Sequence, residues 1–258
     1  MPRLKAATGM AQDDGKAVQW LRRAADGGYA PAMVQLGLMA HTGRGMEQSR
    51  ENTVQWLTRA HELGETRAAG LLAALCQEEG DLPGAMKWYE AAEALGDAKA
   101  ACVLGDLCFQ GSPEPDLNRA VQHWKKAVSL HSGEAAHKLG LVFFRGDETA
   151  GIPMNAAESF KWWQTGAALG NADAAYCLGC LCMEGDPISG VPVNKAAGLK
   201  WWTSAMELGS IPAATALGET FHQGQIVPRD DEKARTYLRQ AADAGDEDAR
   251  ELMEEYGF

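Results

Sequence analysis

Small and apolar residues return along this chain with a fixed rhythm. An Ala followed four residues later by Leu and then by Gly occurs at Ala32-Leu36-Gly37, Ala100-Leu104-Gly105, Ala135-Leu139-Gly140, Ala174-Leu178-Gly179 and Ala213-Leu217-Gly218. At Ala68-Leu72 the glycine is replaced by Ala73, and Ala249 opens a last, incomplete copy. Nine residues before each Leu-Gly glycine stands a second mark: Gly28, Gly64, Gly96, His131, Gly170 and Gly209, with Gly245 continuing the series. Four residues before those marks come Ala24, Ala60, Ala92, Ala127, Gly166, Ala205 and Ala241. Four earlier again come Trp20, Trp56, Trp88, His123, Trp162, Trp201 and Tyr237. Spacings of four and eight place these residues on one face of a helix.

Polar positions punctuate the same register. Seven residues before the aromatic column stand Asp13, Ser49, Asp81, Asp116, Asn155, Asn194 and Asp230, all residue types that cap helix N-termini. The pattern predicts a capped helix, a Gly turn suited to the left-handed conformation, a second helix carrying Ala-x3-Leu-Gly, and a second Gly stop (Gly43, Gly80, Gly111, Gly146, Gly185, Gly224). The small columns let backbones approach, and the Trp and Leu columns fill the space between them. One such hairpin cannot bury its own apolar face, so neighbours must stack on it.

The units fall at 29–64, 65–96, 97–131, 132–170, 171–209 and 210–245, with a partial unit at 1–28 and a terminal capping helix at 246–258. By register Met1 falls at the end of a first helix, so the chain begins within a repeat. The tail "DEDARELMEEYGF" reads as one helix with an acidic outer face.

The segments "KAVQWLRRAADGG" (16–28) and "DDEKARTYLRQAADAG" (230–245), with the recurring Ala-x3-Leu-Gly, resemble the Sel-one-like repeat, a relative of the tetratricopeptide repeat. The resemblance runs over essentially the whole chain. It implies an all-α, right-handed α-solenoid of about six two-helix repeats, acting as a non-enzymatic adaptor with a protein or peptide in its concave groove. The family's aromatic three residues after the Leu-Gly glycine is mostly missing; that column reads Ala40, Cys76, Cys108, Phe143, Cys182 and Phe221. Some cysteine-rich relatives are linked to β-lactam binding, a small-molecule or hydrolytic alternative that needs paired disulfides at fixed repeat spacing, and this sequence lacks them. A further alternative is a structural subunit of a larger assembly.

Composition narrows the function classes. A formal net charge of −11 argues against nucleic acid, whose recognition rests on Lys and Arg, and is compatible with a basic partner. No apolar run reaches the roughly 18 residues of a membrane span, and the N-terminus lacks the apolar core of a secretory signal. With six cysteines in 258 residues, the composition points to a reducing compartment and a cytoplasmic location.

The densest candidate chemistry is "YCLGCLCMEG" (176–185), with Cys177, Cys180 and Cys182. On a helix the first two share a face and the third does not, and no second C-x-x-C supplies the remaining zinc ligands. Cys76, Cys108 and Cys182 instead share a core column as small fillers, and Cys76 and Cys108 are expected to remain unbonded. The six histidines do not cluster, and no phosphate loop or nucleophile elbow occurs. No catalytic residue, cofactor or metal is assigned.

What remains is a surface. The column four residues after the Leu-Gly glycine reads His41, Gln77, Phe109, Phe144, Met183 and His222. Its variability, against the uniform Trp and Ala columns, marks it as facing the groove, with Phe109, Phe144 and Met183 as an apolar ridge. His137 and Tyr176, one turn before, approach the same wall. The candidate partner-binding residues are therefore His41, Phe109, His137, Phe144, Tyr176, Met183 and His222.

Overall fold

Helix ends carry out the local instructions of the sequence. The Ser49, Asp81, Asp116, Asn155, Asn194 and Asp230 side chains each accept a hydrogen bond from the backbone N–H three residues on, at 2.9–3.2 Å. The glycines at both kinds of stop have positive φ, from Gly28 at 84° to Gly245 at 101°. His131, standing in one of those glycine places, is held at φ 70°, the strained left-handed region for a side chain with a Cβ.

The computed structural model describes the backbone at residues 2–111 and 115–258, and side chains from residue 13 onward apart from 112–114. Among the described residues it has fourteen helices. After α1 (Pro2–Asp26), α2 (Ala30–Thr42) pairs with α3 (Arg50–Glu62) and α4 (Thr66–Glu78) with α5 (Leu82–Ala94), and α6 (Ala98–Gln110) and α7 (Leu117–Ser129) follow in sequence. The series continues with α8 (Gly133–Arg145) and α9 (Ala156–Ala168), α10 (Ala172–Glu184) and α11 (Lys195–Glu207), α12 (Ile211–Gln223) and α13 (Asp231–Asp243), and ends with α14 (Glu247–Tyr256). Even-numbered members carry the Leu-Gly place, filled by Leu72-Ala73 in α4 and Met253-Glu254 in α14, and odd-numbered members carry the aromatic column; they are called Leu-Gly and Trp helices below. Among the described residues, β pairing is confined to isolated bridges in two similar loops, Asp147 with Ile152 and Asp186 with Val191. The fold is an all-α repeat solenoid. Two compact units divide the chain, one up to His123 and one from Trp124 onward.

Each unit builds its core from the same columns. In the first, Leu36, Leu57 and Leu72 pack with Met33, Ala60 and Ala68. In the second, Trp163, Ala174, Leu178 and Leu181 form one cluster, and Leu238, Ala241 and Ala249 form another beneath α14. The leucines of the Leu-Gly pairs are at most 2% exposed.

The Trp column behaves differently from the sequence reading. Trp56, Trp88, Trp162 and Trp201 are half-buried, and Trp20 is 67% exposed. The residue that fills the hairpin is the next one, Leu57, Tyr89, Trp163, Trp202 or Leu238, turned about 100° further round the helix. This explains the glycine. A Cβ at Gly140 would lie 2.2 Å from Trp163 Nε1, one at Gly179 would lie 2.1 Å from Trp202 Cδ1, and one at Gly218 would lie 2.6 Å from Leu238 Cγ. The Leu-Gly glycine is the slot into which the following helix sets the side chain next after its aromatic column.

Asp13 departs from its expected role, because α1 is continuous through it and no helix starts there. The expectation about Met1 lies outside the described residues.

Candidate functional site: a cleft repeated between Leu-Gly helices

Where two successive Leu-Gly helices meet over one Trp helix, the same positions recur as a cleft. In the second unit it has a volume of about 400 Å³ between α8 and α10. Leu141 and Phe144 form one wall, Cys177, Cys180 and Leu181 the other, and Trp163 of α9 the floor. Phe144 leans on Trp163 with ring centroids 5.4 Å apart and planes at 45°, and is itself 41% exposed. Trp163 is fixed from below, its Nε1 donating to the His137 carbonyl at 3.2 Å. Arg145 and Glu184 stand at the rim. In the first unit the register-equivalent residues Leu38, His41, Leu57, Leu71, Ala74 and Leu75 enclose about 190 Å³ between α2 and α4.

At other positions the column residue is engaged within the chain. Between α4 and α6, Gln77 accepts a hydrogen bond from Tyr89 Oη at 2.7 Å, spanning the floor with a polar pair. Met183 folds over the backbone of α11, so that a Cβ at Gly198 would meet Met183 Cγ at 2.9 Å. At the last position the chain fills the place with its own end. His222 is stacked on Tyr256 at 3.6 Å and 13°, and Phe258 meets it edge-on at 5.7 Å. Asp231 hydrogen-bonds His222 Nδ1 at 2.9 Å, and Arg235 lies over the Phe258 ring.

The sequence-derived residues thus separate. His41 and Phe144 line clefts, Met183 and His222 are engaged within the chain, and Phe109 is 53% exposed in the first unit. His137 and Tyr176 sit two turns away: Tyr176 stacks on Trp202 at 6.5 Å, and His137 leaves its buried Nδ1 without a partner, and burial lowers its pKa. Sequence reasoning passed over Trp163, Leu181 and Tyr256, which sit on the cleft floor and far wall. The same register, extended by one residue in the Trp helix and seven from each Ala, points to all three.

The six cysteines are free thiols. Cys108 and Cys182 are buried and Cys76 half-buried in the column assigned to them. In the cleft, burial pushes the Cys177 thiol up to about 12, with the nearby Cys180 adding to it, and burial also raises Cys180. These are protonated, weakly nucleophilic sulfurs that act as wall material.

Seven consecutive segments of the chain match the Sel1 repeat: residues 6–29, 30–65, 67–97, 98–132, 133–171, 172–210 and 211–246. The chain belongs to the Sel1 repeat family, whose members generally serve as non-enzymatic scaffolds for protein interaction. It is similar to c5321, a protective antigen of uropathogenic Escherichia coli displaying an SLR fold, at 25% identity and a TM-score of 0.74 over 96% of this chain. It spans 56% of that relative, little more than half its length. A Sel1 repeat protein from Oxalobacter formigenes is 20% identical with a TM-score of 0.69, covering 88% of this chain and 99% of its own. No curated protein matches the sequence. Among the described residues no helix is long and apolar enough to cross a membrane.

Proposed function

We propose that this protein is a non-enzymatic adaptor that holds a protein or peptide along the face of its Leu-Gly helices, with the Phe144 cleft as the principal anchor. The observation that carries this reading is the open cleft itself. It is lined mostly by apolar groups, about 400 Å³ in volume and floored by a fixed Trp163, while in the later copies Met183 and His222 are engaged within the chain. Pockets of that size and lining take one bulky side chain of a partner. Within the first unit the His41 cleft is a smaller contact and Phe109 an exposed one, and within the second unit His137, Tyr176, Met183 and His222 belong to the surface that carries the Phe144 cleft. The net charge of −11 favours a partner with basic flanking residues, and free thiols suit a reducing, cytoplasmic setting.

Affinity capture with the intact chain and with Phe144→Glu in parallel tests this. A saturable partner lost with the variant, at unchanged thermal unfolding, supports the reading. Equal capture by both removes Phe144 from the interface.

A second reading, stacking within a larger assembly, draws on Trp20. Its counterparts Trp56 and Trp88 are half-buried, Trp88 edge-on against His61 at 5.5 Å, whereas Trp20 is 67% exposed. Sedimentation velocity separates the two readings: a monomer at all concentrations, unchanged by Trp20→Glu, argues against assembly through that face.

A further inference from the structure

The cleft between α8 and α10 has an internal counterpart that is already occupied. Counting from the Ala that opens each Ala-x3-Leu-Gly pattern (Ala135 and Ala213, then Ala174 and Ala249), Phe144 and His222 stand at the same position, as do Leu181 and Tyr256 of the following helix. At the end of the chain a Tyr ring lies flat on the column residue, a Phe ring closes the edge, and Leu238 takes the place of Trp163 in the cluster beneath. Between α8 and α10 the smaller Leu181 leaves the corresponding space open. The surface that remains is unusually suited to a ring. Phe144 presents an exposed aromatic face above the buried Trp163 ring, and Cys177, Cys180 and Met154 bring three sulfurs into the same cleft. Aromatic pairs and sulfur–aromatic contacts both favour an aromatic guest over an aliphatic one of similar area.

We infer that the Phe144 cleft selects an aromatic side chain from a partner peptide, laid against Phe144 as Tyr256 is laid against His222. This rests on the reading of the cleft as a partner site and names the residue class it takes. The apolar walls hold the ring, and Arg145 and Glu184 at the rim face the peptide on either side of it. The tail is then an intramolecular occupant of the last copy of the same site, keeping that copy closed to partners.

The test is selection of random heptapeptides on the immobilised full chain, followed by affinity measurement of the selected peptides on four proteins: the native chain, Phe144→Ala, Phe144→Leu and Leu181→Tyr. The last variant places a ring where Tyr256 places one and so fills the cleft from within. Thermal unfolding checks that each variant is folded, and Phe144→Leu keeps an apolar wall should the alanine variant be unstable. The expected result is peptides sharing one aromatic position. Replacing that residue by Leu weakens binding roughly two- to tenfold, the range of an aromatic pair, and Leu181→Tyr abolishes binding. Peptides that need Phe144 but carry an aliphatic anchor overturn the aromatic selection and leave the partner site standing. Peptides whose binding is indifferent to Phe144 and Leu181→Tyr overturn both.

Discussion

The Phe144 and His222 positions are the same place in the repeat, and they have opposite fates. At Phe144 the following Leu-Gly helix contributes Leu181, and a cleft of about 400 Å³ remains. At His222 the following helix contributes Tyr256, stacked at 3.6 Å, and the chain adds Phe258. The backbone frame is shared. Between these two copies the difference lies in two side chains, the column residue and the residue seven after the Ala that opens the next unit's pattern. A repeat protein can thus keep one uniform core while assigning a different contact to each position along it, since the columns that build the core are not the columns that face outward.

The comparison breaks first at its floor. Trp163→Ala removes a ring that is 2% exposed and hydrogen-bonded to His137, and is expected to cost about 3–5 kcal/mol, seen as a large fall in unfolding temperature. The slot above it is next. Gly140→Ala drives a Cβ to within 2.2 Å of Trp163 Nε1, an overpacking cost of about 1–3 kcal/mol by urea titration. Ala73 holds the same place naturally opposite Tyr89, so Ala73→Gly should bring far less change. Tyr256→Ala opens the last copy, and loss of its half-buried ring should cost about 1–2 kcal/mol, with faster amide exchange confined to α14. His131→Gly relieves a side chain at φ 70° and should stabilise by about 1 kcal/mol, whereas the same change at a helix-interior position would destabilise.

His137 gives the smallest effect and a definite sign. Its pKa is lowered on folding because burial disfavours the charged ring, outweighing the raising influence of Asp173. The folded state therefore binds fewer protons than the unfolded one. The stability of the native chain is present above the ordinary histidine range and declines as pH falls through it toward the lowered folded value. Comparison with His137→Gln between pH 7 and pH 5 should show a shallower decline in the variant. Parallel curves would remove His137 from the acid response.

Much of the fold was legible because its instructions are local. Six of the seven expected capping side chains accept their hydrogen bonds, and the glycine marks all sit at positive φ, including the place taken by His131. Asp13 shows the limit: a capping residue type does not stop a helix whose preceding residues also favour it, and α1 runs through. The Trp column contributes less than its size suggests, Trp56, Trp88 and Trp201 packing half-buried against the core clusters. The hairpin is filled one residue later, where Leu, Tyr and Trp alternate and size is no guide. The variable column was legible as a set of positions, but which of them is open was not. That depends on how Met183 folds over Gly198 or Gln77 reaches Tyr89, contacts across one hairpin that packing decides and spacing does not reveal.

The equivalence of the two ends of this comparison can be measured in one titration. A peptide selected on the native chain is titrated calorimetrically into a Tyr256→Ala, Phe258→Ala double variant, which empties the last copy of the cleft and leaves Phe144 untouched. The account predicts that the native chain binds one peptide and the double variant two, the second more weakly on His222. A stoichiometry that stays at one after the tail's rings are removed would contradict the claim that the same site recurs there.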